Sequence, residues 1–187
     1  KADWARRGVR YSFEQMTQMA EGVSDNRSTL DLDDESFNRL DGDMAERMNA
    51  YFDRTGQVRP ADDAGYLRCV FESIALKTAH TVRSLSAAAS KPFREICIIN
   101  GGSRNALLNQ LIADAANLPV RAGLPFASLV GNALSQLYAL GEIGSLAEMR
   151  EVSSRSFEIT HFEPHGSGAW AEKRERAADA GVLGQPR

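Results

Sequence analysis

Cysteine is scarce in this 187-residue chain, with two in all, and Cys69 and Cys97 form no CxxC or paired framework. A disulfide scaffold is excluded, and a reducing cytoplasm is the expected compartment. One cysteine lies in a helical pattern and the other in an apolar run, so both read as small buried hydrophobes. Positive charge is not in excess either: 22 basic against 25 acidic residues give a net charge of -3. No basic face remains to track a phosphate backbone, which argues against a nucleic-acid partner. No apolar run approaches the roughly 18 residues of a membrane-spanning helix. The opening KADWARRGVRYSF lacks the apolar centre of a secretory signal. Internal repeats and low-complexity blocks are missing, and so is a leading methionine, which predicts that the chain is cut from something longer. His161 and His165 have the H-x3-H spacing of a zinc pair. Pro164 breaks any helix between them and no third ligand is evident, so no metal site is expected.

What is present suits one globular unit with a sizeable core, at 43% hydrophobic and 25% charged residues. Ser12 and Gln15 have capping-box spacing for a first helix that runs to about Gly22, with Phe13, Met16, Thr17 and Ala20 on one face and Tyr11 able to staple against Met16. The acidic stretch 24–43 predicts a loop with a short extended piece, and DLDDE within it a solvated helix start rather than a calcium loop. A second helix spans about Asp43 to Arg54, with Met44, Met48 and Tyr51 on one side. From Asp62, the residues Leu67, Val70, Phe71, Ile74, Thr78, Val82 and Leu85 recur at helical spacing and predict one long helix with a single buried stripe, His80 at its edge. Glu95 to Ile99 reads as a strand covered on both faces.

Helical apolar patterns then run from Leu107 to Ala115 and from Leu129 to Tyr138, with a short strand at Val120 to Ala122 between them. Gly131 is expected to let its helix pack closely, and Gly141 to cap it. Ser145 and Glu148 start a further helix to about Val152, Phe157 to Phe162 forms an edge strand, and a tail from Gly166 carries a helical stretch near Trp170 to Ala178. The order is α/β, with a parallel sheet under helical cover. Two confident strands make a poor independent sheet, which again predicts strands upstream.

The informative stretch is REICIINGGSRNALLNQLIADA, residues 94–115. Its strand stops at Asn100, Gly101 and Gly102, and a helix follows at once. Backbone amides at such a bend point outward and the helix dipole is positive there, so a polar or anionic ligand can be bound by main chain alone. Gly101 and Gly102 remove obstructing side chains and permit positive φ, while Ser103 and Asn105 can bond a ligand or cap the helix. A tight turn with glycine for conformational reasons only is the competing reading. No Gly-Lys-Ser/Thr follows and the third glycine of a dinucleotide fingerprint is missing, so neither of those phosphate motifs is present.

IINGGSRN resembles the adenosine motif of the actin, heat-shock ATPase and sugar-kinase superfamily. Over about Ser28 to Pro164 the sequence resembles the FGGY carbohydrate kinases, and most closely the rhamnulokinases. Gly101, Gly102, Asn105, Leu107, Leu108, Asn109, Gln110, Leu111, Ala113, Asp114 and Ala115 match that signature in order and spacing, as do Ala127, Ser128, Gly131, Asn132, Gln136 and Leu137. DDAGYLRCVFESIALKTA resembles the family's long helix, and FEITHFEP its closing strand. Asn100 stands where the first of three glycines is usual, Leu124-Pro125 reorders the usual Gly-Pro turn, and Phe126 replaces a common acidic residue.

The resemblance implies an RNase H-like fold, here a partial C-terminal domain of helices packed on a small sheet. Residues 1–165 would form the incomplete nucleotide-binding domain and 166–187 a helix and tail. It implies ATP with Mg2+ and a sugar as substrates. Gly101, Gly102, Ser103 and Asn105 are the residues expected at the nucleotide, against the adenosine and α-phosphate. The catalytic aspartate and the sugar-binding N-terminal domain are expected upstream of Lys1, so the isolated chain is not expected to turn over. The other reading is a degenerate, non-catalytic module acting by protein association.

Overall fold

A computed structural model of the chain describes residues 2–24, 26–38, 42–166 and 168–182. Residues 183–187 of the expected tail lie outside that set. Its elements are α1 (Ala2–Arg6), α2 (Phe13–Glu21), α3 (Met44–Arg54), α4 (Asp63–Ala88), β1 (Ile96–Ile98), α5 (Ala106–Ala116), β2 (Val120–Gly123), α6 (Ala127–Ala139), α7 (Leu146–Ser156), β3 (Ile159–Phe162) and α8 (Gly168–Asp179). The three strands form one sheet in the order β1-β2-β3. β1 and β2 are parallel, Ile96 opposite Val120 and Ile98 opposite Ala122. β3 runs antiparallel along the other side of β2, Phe162 opposite Val120. Helices on a small mixed sheet make this an α/β fold.

Local signals start most helices. Ser12 and Gln15 close a reciprocal capping box on α2, Asp43 caps α3, Asp62 caps the 26-residue α4 and Ser145 caps α7. Asp34 caps a single 3-10 turn, Glu35–Phe37, so DLDDE is a helix start as its composition suggests. The Ser36 hydroxyl and the Arg54 guanidinium both donate to Asp34, and hydrogen bonding from Ser36 above all holds its carboxyl below the usual range.

The core lies between α4, α5 and one face of the sheet, where Leu76, Ala79, Leu111, Ile112 and Val120 are buried together, with Ile96, Ile98 and Phe162 packed against them. Trp170, Ala177 and Val182 join the same cluster, so residues 168–182 are built into this core.

The buried face of α4 differs from the expected stripe. Cys69, Glu72, Ser73, Leu76 and Ala79 face inward, while Val70, Phe71, Ile74 and Thr78 are half-buried and Leu85 is exposed. The reason is that the segment 26–32 lies along α4 and satisfies its backbone through α4 side chains. Leu30 N donates to Ser73 Oγ at 2.9 Å, Ser73 Oγ donates to the Cys69 carbonyl at 2.7 Å, and the Cys69 thiol donates to the Ser28 carbonyl. Small polar residues let the segment approach, and the larger apolar residues flank it. Burial pushes the Cys69 thiol up to about 12. His80 is half-buried, as its place on the helix suggests.

Two further expectations are corrected. β1 is not covered on both faces: Cys97 is exposed, on the opposite face from Ile96 and Ile98, because α4 and α5 cover one side of the sheet only. Gly131 does not serve close packing, since a Cβ there would meet nothing within 4 Å. α6 buries Leu134 alone among its apolar residues.

Candidate functional site

The parallel strands β1 and β2 end side by side, and their chains leave the sheet joined by one hydrogen bond, from the Asn100 amide to the Leu124 carbonyl at 3.0 Å. After β1 the backbone closes a 3-10 turn, Asn100–Arg104, which runs straight into the first turn of α5. Positive φ is needed here, but not at the glycines: Asn100 takes it, with φ 60, and neither Gly101 nor Gly102 does. Asparagine reaches the left-handed region more readily than other side-chain-bearing residues, so it can stand at this bend.

The glycines act through space instead. Both are exposed; a Cβ on Gly101 would meet nothing within 4 Å, and one on Gly102 only Ile98 Cγ2 at 3.4 Å. A ligand can therefore approach the main chain at Gly101 without meeting a side chain. The polar neighbours are partly committed to local structure. Ser103 Oγ donates to the Asn100 carbonyl at 2.7 Å, which spends its proton inside the turn. Asn105 Oδ1 accepts from Leu108 N at 3.0 Å as the cap of α5. The Asn105 Nδ2 donors are not used by the cap and can serve a ligand. The turn joins the N-terminus of α5, whose dipole adds partial positive charge.

Arg104 and Phe126 complete the surroundings. The Arg104 guanidinium sits 5.1 Å from the centroid of Phe126, which is the residue before α6. This places a cation beside the turn and ties the β1–α5 bend to the β2–α6 bend. Sequence reading could not find that pair, because the residues meet only when the two bends meet. Asn100 was findable: an Asn before Gly-Gly is the side chain best able to supply a left-handed bend.

Two larger hollows lie elsewhere. One of about 720 Å³ runs between the outer face of β2–β3 and the helices α6 and α7, with Leu124, Val130, Leu134, Met149 and Ile159 on its walls. The other, about 570 Å³, lies among α1 to α4 and is lined by Trp4, Phe13, Met16, Met48 and Tyr66. Neither is lined by Gly101, Gly102, Ser103 or Asn105, although Leu124, which accepts from the Asn100 amide, stands on the wall of the first.

The family profile described as "FGGY family of carbohydrate kinases, C-terminal domain" matches residues 1–140. The chain belongs to that family. This FGGY-family chain is 35% identical over 159 residues to a rhamnulokinase of Bacteroides thetaiotaomicron, covering 85% of this chain and 33% of that protein. It is 37% identical over 153 residues to a rhamnulokinase of Halalkalibacterium halodurans, covering 82% and 32%. The crystal structure of a xylulose kinase from Rhodospirillum rubrum superposes with a TM-score of 0.59 at 20% identity, over 91% of this chain and 33% of that one; at this identity the likeness shows the fold alone. The FGGY chain thus spans about a third of the length of the curated relatives it matches. No helix among its described residues is long and apolar enough to cross a membrane.

Proposed function

We propose that this chain supplies the nucleotide-binding wall of an ATP-dependent carbohydrate kinase, rhamnulokinase-like, that transfers the γ-phosphoryl group to a ketose hydroxyl in the cytoplasm. The observation that carries the reading is the bend at Gly101 and Gly102: exposed main chain, open space where side chains would stand, and the start of α5 directly behind it. Phosphoryl transfer asks for positioning and charge stabilisation more than covalent chemistry. In this reading the amides at Gly101 and Gly102 and the Asn105 Nδ2 donors orient the adenosine and α-phosphate, and Ser103 keeps the turn closed. Arg104 adds positive charge beside the anion. Magnesium enters with the nucleotide as the counter-ion of its phosphates, and no ligand to it is assigned to a residue of this chain.

The catalytic aspartate and the sugar site are assigned to the part of the relatives' length that these 187 residues do not span. The chain alone then binds nucleotide without turning over. Isothermal titration of the 187-residue chain with ADP tests the binding, and Gly101→Asp tests the location. A carboxylate at Gly101 enters the space left for the ligand and repels its phosphates, so binding is expected to vanish. Unchanged ADP affinity in Gly101→Asp removes the bend from the site. Ketose-dependent ADP release on co-expression with a rhamnulokinase N-terminal domain tests the kinase assignment.

A further inference from the structure

One buried polar group near the bend has no part in the contacts proposed for the nucleotide. Asn109 lies on α5, one turn beyond the Asn105 cap, and is 0% exposed. Its Nδ2 donates to the Ser103 carbonyl at 3.1 Å, while its Oδ1 is buried and accepts no hydrogen bond from the described residues. A buried carboxamide oxygen without a donor is unfavourable, and an apolar residue of similar volume avoids that cost. Its helix face is apolar beyond it, since Ile112 and Ala113, three and four residues on, are buried in the core. What the carboxamide provides in return is its hold on Ser103.

That hold acts on the part of the bend that matters. Ser103 closes onto Asn100 through its hydroxyl, and Asn105 N donates to the Gly102 carbonyl at 3.2 Å. Those bonds fix the turn's internal shape. The Asn109 bond is different, because it ties the turn to the interior of α5 and so fixes its orientation against the helix.

We propose that Asn109 is a positioning residue: by holding the Ser103 carbonyl it sets the direction in which the Gly101 and Gly102 amides face, and through them the affinity for a nucleotide it does not touch. The affinity part rests on the nucleotide reading above; the positioning part does not. Asn109→Leu keeps the branching at Cγ, adds some volume, and removes both the donor and the orphaned oxygen. It is expected to lower the ADP affinity of the folded 187-residue chain about tenfold, the scale of one displaced hydrogen-bonding group, and to shift the Gly101 to Asn105 amide resonances in a 15N correlation spectrum. A purely structural residue would change the thermal midpoint and leave the affinity of the folded fraction alone. Wild-type affinity together with unshifted Gly101 and Gly102 amides in Asn109→Leu overturns the proposal. If the wild-type chain binds no ADP, the nucleotide reading fails, and the amide shifts still decide whether Asn109 orients the bend. Should Asn109→Leu not fold, the wild-type side-chain amide decides: slow hydrogen exchange at Asn109 Nδ2 supports the bond to Ser103, and exchange at the rate of a solvent-exposed amide overturns it.

Discussion

Asn100 and Leu124 face each other across the carboxyl ends of β1 and β2, both at positive φ, 60 and 49, and joined by the amide-to-carbonyl bond between them. Asparagine bears this conformation at little cost. Leucine does not, and Leu124 also precedes Pro125, which further restricts its backbone. Left-handed backbone costs a residue with a branched, apolar side chain about 1–2 kcal/mol. Leu124→Gly is therefore expected to stabilise the chain by no more than about 0.5 kcal/mol, because glycine's greater freedom in the unfolded state and the lost groove contact offset most of the relieved strain. Chemical denaturation by urea would read this as a higher midpoint at unchanged slope. A lower midpoint would mean that Leu124 contributes more through the groove it lines with Val130 and Leu134 than it costs in backbone.

A buried charge cluster ties α8 and the segment 26–32 to α4. Glu72 on α4 is 2% exposed and accepts from Arg68 at 2.7 Å, from Lys173 of α8 at 2.5 Å and from Asn26 at 2.9 Å. Such a cluster adds little over an apolar packing of the same volume, but removing one member strands the rest. Glu72→Ala should cost about 3 kcal/mol, the low end for a broken buried pair, since Arg68 and Lys173 keep some contact with water. Lys173→Met should cost less, because Arg68 remains on the carboxylate; equal losses in urea unfolding would show that α8 docking, not the charge, carries the effect. Sequence patterning reveals the helices here but not this junction. Caps and 3.6-residue periodicity are local, and Ser12, Asp43, Asp62 and Ser145 announce their helices. The buried side of α4 is set by what packs on it, and Cys69, Glu72 and Ser73 are buried for hydrogen bonds to the segment 26–32 that no hydropathy pattern encodes. The same limit applies at the bend. Gly-Gly at a strand end marked the place, yet Asn100's backbone, the closure by Ser103, the Arg104–Phe126 contact and the buried Asn109 are tertiary facts.

At the scale of the whole chain, α6 carries its apolar residues over one arc broader than the groove it lines. One edge of the arc, with Val130 and Leu134, faces the groove against α7 and the sheet. The rest, with Phe126, Leu129, Leu137 and Leu140, is open to solvent, Leu129 at 69% and Leu140 at 76%. β1 lies beside β2 alone at its edge of the sheet, with Cys97 and Ile99 exposed. An open strand edge and an uncovered apolar stripe both favour association. The chain spans about a third of the length of the curated relatives it matches, and this surface is uncovered among the described residues. The 187-residue chain by itself is then expected to bind a hydrophobic dye and to self-associate as its concentration rises. Leu129→Glu together with Leu140→Glu should suppress both, while moving stability by no more than about 0.5 kcal/mol per site, because exposed positions contribute little to folding. Light scattering and thermal unfolding of the same samples check the two halves of that expectation. A wild-type chain that stays monomeric and binds no dye, or a double variant that loses several degrees in Tm, would mean that the stripe on α6 is already covered within the chain.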